Sequence, residues 1–283
     1  MRRRRFVAAT CGWILAAPVM AAPAPRLRIG LTAVILADFA AFLSRWSQYL
    51  SPRLGCEVAF AARDSYQAIE DMLASGHVDA AWVCGYPYVQ HEAQWRLLAI
   101  PLYHGHPRYQ SYLIRPKTVG EPTIRGWTDL RGKVFAYSDP LSNSGWLVAQ
   151  EQLARAGIGP HDLRRTFYAH GHRNVAEAVA AQLADAGSID GYIWETMRAQ
   201  RMSAALETEV VWKSPWHGFP PIVAPQSAMN PVIEALQRVL LAMPQDAEGR
   251  ALLQALNLTG FMAGDPSVFD SIRKLARDYG TLK

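Results

Sequence analysis

Tyr137-Ser138-Asp139-Pro140-Leu141-Ser142-Asn143-Ser144-Gly145-Trp146 joins a strand-like apolar run, Lys133 to Tyr137, to a helical pattern that continues to about Ala156. A turn of this kind leaves the first amides of the helix without backbone partners and turns the positive end of the helix dipole outward. Ser142, Asn143 and Ser144 add side-chain donors at the same place. The segment therefore reads either as a cradle for a tetrahedral oxyanion or as ordinary N-capping by Ser and Asn.

Outward from that turn, strand-like and helical runs alternate. Leu27 to Leu31 precedes a helical stretch from Ala37 to Leu54, Glu57 to Ala62 precedes Tyr66 to Ser75, and Asp79 to Cys84 precedes Tyr88 to Gln94; Arg96 to Leu102 follows. Such alternation predicts βαβ units around a mostly parallel sheet. Arg108 to Arg115 reads as a further strand closed by Pro116. A second series holds the opening turn, then Arg165 to Tyr168 extended, Val175 to Ala186 helical and Ile189 to Trp194 extended. Val210 to Trp212 and Gly218 to Ala224 form a proline-interrupted return, and everything from Asn230 onward reads as helix, turn and helix. The pattern predicts an α/β protein of two lobes, two mixed sheets joined by two connecting strands. We read 23–112 with 214–283 as the first lobe and 113–213 as the second.

Residues 1–22 read as a signal peptide: Met1-Arg2-Arg3-Arg4-Arg5, an apolar run from Phe6 to Met20, then Ala21-Ala22-Pro23. Its removal takes four arginines away and leaves 25 basic against 24 acidic residues in the remaining chain. So even a balance gives no electrostatic reason to expect nucleic acid or an acidic membrane as partner. No later apolar stretch reaches the roughly 20 residues that span a bilayer, so the product is expected to be soluble outside the cytoplasm. The length suits two lobes or one large α/β unit.

Ligands of open α/β sheets sit beyond the carboxyl ends of the strands. In the first lobe that rule selects Thr32 with the loop after it, Arg63-Asp64-Ser65, and Cys84-Gly85-Tyr86-Pro87-Tyr88. In the second it selects Ser138 to Ser144, His170 to Asn174, and Trp194-Glu195-Thr196. Each has a plainer use: Tyr86 and Tyr88 as packing residues, His172 as a surface histidine, Glu195 as a helix cap, Cys84 as a small buried apolar group. With the first strand between the second and third, Cys56 and Cys84 stand about 9 to 10 Å apart sideways, beyond the ~7 Å that a disulfide tolerates. Both thiols are expected to be free, with Cys84 near the ligand.

Ser142 or Ser144 with His172 and Glu195 supplies the residue types of a hydrolytic triad, and Cys84 with a histidine those of a thiol nucleophile. No Gly-x-Ser-x-Gly elbow and no His-x-x-x-His, Cys-x-x-Cys or His-Glu-x-x-His spacing accompanies them. The expectation is a binding protein without catalysis, metal or cofactor.

With those residues in view, the chain resembles the periplasmic substrate-binding components of phosphate, phosphite and phosphonate ABC transporters, a family with the type II periplasmic-binding-protein fold. The resemblance runs from Leu27-Arg28-Ile29-Gly30 to the C-terminal helices. Ser142-Asn143-Ser144-Gly145 is similar to the family's Ser-Thr-Ser-Gly oxyanion loop, with Asn143 in place of Thr. Gly85-Tyr86-Pro87-Tyr88 is similar to, and shorter than, the turn that carries a ligand-facing tyrosine. Gly171-His172-Arg173-Asn174 resembles the Gly-Ser-His loop, which implies a binding role for His172. Asp190 to Glu195 is similar to the segment whose last carboxylate meets the amine of aminoalkylphosphonates, which implies that role for Glu195. The implied function is capture of a small oxyanion between closing lobes by a monomer that delivers it to an ABC permease. Some members of the superfamily sense solutes for a membrane histidine kinase, including arsenite sensors that use a cysteine, and Cys84 keeps that alternative open.

Overall fold

The structure is a computed structural model, and it describes residues 26–32, 39–117, 123–228 and 230–279. The leader, the loop after Thr32 and the last four residues lie outside the described residues. In chain order the first series is β1 (Arg26–Leu31), α1 (Phe39–Leu54), β2 (Glu57–Ala62), α2 (Tyr66–Ala74), β3 (Ala80–Trp82), α3 (Gly85–Gln90) and β4 (Trp95–Leu102). The chain then crosses through β5 (Arg108–Tyr109) and enters β6 (Ser111–Pro116), β7 (Val134–Tyr137), α4 (Val148–Arg155), β8 (Arg165–Tyr168), α5 (His172–Ala180), β9 (Ala186–Asp190), α6 (Gly191–Ala199), α7 (Ser203–Leu206) and β10 (Thr208–Lys213). It returns through β11 (His217–Gly218) to β12 (Ile222–Pro225), α8 (Pro231–Ala242), α9 (Ala247–Ala255), β13 (Gly260–Ala263) and α10 (Asp270–Asp278).

The first sheet has the order β13-β4-β12-β3-β1-β2, the second β10-β6-β9-β7-β8, and β5 pairs with β11 between them. β1, β2 and β3 run parallel, as do β7, β8 and β9. The strands that the chain makes on arriving from the other lobe, β6 and β12, run antiparallel to their neighbours. This is the expected two-lobed architecture: the carboxyl ends of two sets of parallel strands face a shared cleft. No helix among the described residues is long and apolar enough to cross a membrane.

Local chemistry explains the element boundaries near the cleft. The Ser65 hydroxyl accepts from the Ala68 amide and starts α2, and Gly76, at φ +70°, turns the chain off its end. β3 is buried on both faces beneath Trp46, which meets Trp82 edge to face at 6.1 Å. β1 lies between β2 and β3, and Cys56 and Cys84 are free and buried.

Five expectations need correction. The helix read from Val175 to Ala186 runs from His172 to Ala180, and Ala186 opens β9. The strand read from Arg108 to Arg115 is two, β5 and β6, parted at Gln110. The third helix begins at Gly85 rather than Tyr88, because Pro87 suits a first turn. The run from Ile189 to Trp194 is not one strand: Asp190 ends β9, and its carboxylate accepts from the Tyr192 and Ile193 amides to open α6. The region after Asn230 also contains β13, whose Gly260-Phe261-Met262-Ala263 joins the first sheet as an edge strand on β4.

Candidate functional site

The opening turn of the sequence is a widened one. Asn143–Leu147 forms a π turn in which the Leu147 amide reaches back to the Ser142 carbonyl at 3.0 Å, a geometry often found at functional sites. Ser142 caps it, its hydroxyl oxygen accepting from the Gly145 amide at 2.9 Å. Gly145 is required by crowding, since a Cβ there would stand 1.8 Å from Ser138 Oγ. Beneath the turn, the Ser111 and Ser188 hydroxyls from β6 and β9 both donate to the Ser144 carbonyl, at 2.7 and 2.6 Å. They pin the backbone of the turn from the sheet side.

Ser138, Ser142, Asn143 and Ser144 are fully buried. Ser138 Oγ, Ser144 Oγ and Asn143 Oδ1 nevertheless have no hydrogen-bond partner. A buried polar atom left unpaired costs about 1–3 kcal/mol, so three in one turn need an explanation. The other end of the Asn143 amide, Nδ2, donates to the Tyr109 hydroxyl at 3.0 Å.

The opposite wall comes from the first lobe. The Asn143 backbone N–H donates to Cys84 Sγ at 3.3 Å, and the Tyr86 ring stacks on Trp146 at 6.2 Å. The two turns singled out in the sequence thus meet across the cleft. The Tyr66 amide, at the start of α2, donates to Asp139 Oδ2 at 3.2 Å, so a carboxylate of one lobe caps a helix of the other. On the far side Asn257 Nδ2 donates to Thr196 Oγ1 at 2.9 Å, and the Tyr192 hydroxyl donates to the Leu256 carbonyl.

His172 is buried at the start of α5. Its Nδ1 accepts the Asp190 amide at 3.1 Å, which puts the ring proton on Nε2, 3.3 Å from the Tyr66 hydroxyl. Burial lowers its pKa to about 3, so it brings an N–H donor and no charge. Tyr66 then accepts from His172 and keeps its own proton for the cleft. Burial also holds the Tyr66 and Tyr109 phenols far above the ordinary range, and it raises the Asp190 carboxyl to about 8 against the pull of its two capped amides. Below pH 8 His172, Tyr66, Tyr109 and Asp190 are therefore a set of neutral groups, while Asp139 spends its two oxygens on the Tyr66 and Leu141 amides. Such a set suits an anion that must be held dry.

Of the residues expected at the site, Ser142, Asn143, Ser144, Cys84, Tyr86 and His172 are brought together. Thr32, buried at the carboxyl end of β1, gives its hydroxyl proton to the Trp82 carbonyl at 3.1 Å. Two others are turned elsewhere. Tyr88 packs on Phe269 at 4.7 Å, because α3 starts early enough to carry it past the cleft. Glu195 lies a turn inside α6, bonded to the Tyr112 hydroxyl and 3.9 Å from Lys213 Nζ. The carboxyl group at the strand end is Asp190. The sequence reading also missed Tyr66, although Ser65 before it marked the helix start, and Tyr109, Ser111 and Ser188, for which it carried no local signal.

Residues 37–269 match the family described as the periplasmic substrate-binding protein of phosphonate ABC transporters. The chain is 28% identical over 244 residues to the phosphonates-binding periplasmic protein of Escherichia coli, spanning 82% of this chain and 71% of that one. It is 27% identical over 229 residues to the phosphate-import protein PhnD of Mycolicibacterium smegmatis, spanning 76% and 68%. Among solved structures it is similar to PhnD1 of Prochlorococcus marinus in complex with methylphosphonate, with a TM-score of 0.79, 18% identity, and 91% and 99% of the two chains covered. A binding protein component of an ABC phosphonate transporter from Pseudomonas aeruginosa gives a TM-score of 0.81 at 23% identity, over 89% and 85%.

Proposed function

The chain belongs to the family of periplasmic substrate-binding proteins of phosphonate ABC transporters, and from that premise we propose that it binds a small phosphorus oxyanion, a phosphonate or phosphate, between its lobes. The observation that carries this reading is the trio of buried, unpartnered atoms between the end of β7 and the π turn, Ser138 Oγ, Asn143 Oδ1 and Ser144 Oγ. A tetrahedral oxyanion with a protonatable oxygen offers partners to all three, while Tyr66, Tyr109 and His172 supply further donors. Charge-assisted hydrogen bonds of this kind contribute about 1.5–3 kcal/mol each. Tyr86 on Trp146 closes the mouth.

The lobe of residues 23–112 and 214–283 closes on that of 113–213 about β5 and β11, and the closed form presents the surface that a permease reads. The leader of residues 1–22 delivers the protein, a monomer, to the periplasm. Nothing in this role requires a chemical step: His172 is neutral and bonded to Tyr66, and Ser142 is occupied as a cap, so neither has the partner of a hydrolytic nucleophile. The histidine-kinase alternative raised by the sequence is not supported by the relatives, whose names describe binding and import.

Thermal denaturation against methylphosphonate, aminoethylphosphonate, phosphite, phosphate and sulfate tests the reading. A ligand at 100 times its Kd adds ~2.7 kcal/mol of stability. Shifts with phosphorus oxyanions and none with sulfate are expected. A melting point unmoved by every one of them at millimolar concentration would overturn it.

A further inference from the structure

Cys84 lies at the centre of the groups just described. Its side chain is buried and free of any disulfide, and its sulfur accepts from the Asn143 backbone N–H, the donor that a tetrahedral ligand would otherwise take at the mouth of the π turn. Asp190, Tyr66 and Tyr109 are all close enough for their charge states to act on it or to feel its own. Asn143, whose backbone N–H it holds, and the next residue Ser144 carry the unpartnered Oδ1 and Oγ. We infer that Cys84 is the specificity-determining residue of this site, selecting phosphorus oxyanions that carry a P–C or P–H bond over phosphate.

The inference rests on the oxyanion reading above and goes further, to the face of the ligand that meets sulfur. A thiol is a weak donor and a weak acceptor. Burial pushes this one up to about 11, so it stays protonated and neutral. A phosphoryl oxygen facing it gains one poor hydrogen bond and loses the water that solvated it, while the amide that could have compensated is already spent. A methyl group or a phosphorus-bound hydrogen in the same position forfeits nothing and packs against a polarisable atom. The three remaining oxygens of a phosphonate turn to Ser138, Asn143 and Ser144 and to the phenols. Phosphate has a fourth oxygen with nowhere to go.

Titration calorimetry with methylphosphonate and inorganic phosphate at one pH, on the full mature protein, provides the test. The wild type should bind methylphosphonate at least tenfold tighter than phosphate. Cys84→Ser, which offers a full hydroxyl donor in less space, should narrow that ratio at least tenfold by strengthening phosphate, with methylphosphonate kept within a few-fold. Cys84→Ala should move the ratio in the same direction by releasing the Asn143 backbone N–H. A wild type that prefers phosphate, or a ratio that neither variant changes, overturns the inference and leaves the oxyanion reading standing. If neither anion binds the wild type, the oxyanion reading fails, and the inference with it.

Discussion

Two turns meet at the cleft, and they spend their polar groups differently. The turn of the first lobe, Cys84 to Tyr88, is consumed by packing. Gly85 lies so close to Ile272 that an added Cβ would meet it at 2.6 Å, Tyr88 is on Phe269, and Tyr86 is on Trp146. The turn of the second lobe is held just as firmly, from below by Ser111 and Ser188, yet keeps three buried atoms without partners. Rigidity is common to both. Unmet hydrogen-bonding capacity belongs to one, and that is what separates a binding surface from a wall.

The sharpest way to break this contrast is Gly145→Ala, which drives a methyl group into Ser138. Overpacking of this kind costs about 1–3 kcal/mol, and the displaced turn should lose at least a hundredfold in affinity; a denaturant melt and a calorimetric titration read the two effects separately. Next comes Ser144→Ala. Because Ser144 Oγ has no partner within the protein, its removal should leave the melting temperature unchanged or slightly higher while affinity falls by about 1.5–3 kcal/mol. A stability loss without an affinity loss would make the second turn a wall like the first.

Asp190 gives a smaller and pH-dependent effect. With its carboxyl raised to about 8, the group is neutral below that pH and becomes an anion beside an anion above it, so affinity should drop roughly tenfold between pH 7 and 9. Asp190→Asn keeps the caps on Tyr192 and Ile193 and should abolish the step that belongs to the protein, leaving only the titration of the ligand. Stability moves with the same sign: the unfolded carboxyl releases its proton in the ordinary acid range, so this group makes folding less favourable as pH rises from about 4 to 8. The smallest changes belong to the residues turned away. Tyr88→Phe and Glu195→Gln should each alter affinity by less than twofold, and a larger loss from either would return that side chain to the cleft.

The cradle was legible in the sequence because everything it needs is contiguous: a strand end, two serines, an asparagine and a glycine within four residues, then a helix. The alternation of strands and helices gave the two sheets for the same reason. Asp190 was hidden by its surroundings. Ile189 to Trp194 is an apolar run that reads as strand, and the Asp-Gly pair inside it was the overlooked sign of a helix start. Ser111 and Ser188 were out of reach for a different reason. They meet only because β6 and β9 pair antiparallel, with Ser111 opposite Asp190 and Leu113 opposite Ser188, a register decided across 77 residues of chain. Tyr109 arrives from the crossover in the same long-range way.

The carboxylate of Asp139 finishes a helix that belongs to the other half of the molecule. Each parting of the halves must therefore return the Tyr66 amide to water, where its proton exchanges with solvent, and each reunion shields it again. That single backbone hydrogen is a built-in gauge: its exchange rate reads the fraction of time the halves stand apart with no label attached, and a bound anion should slow it by the factor with which it holds them together.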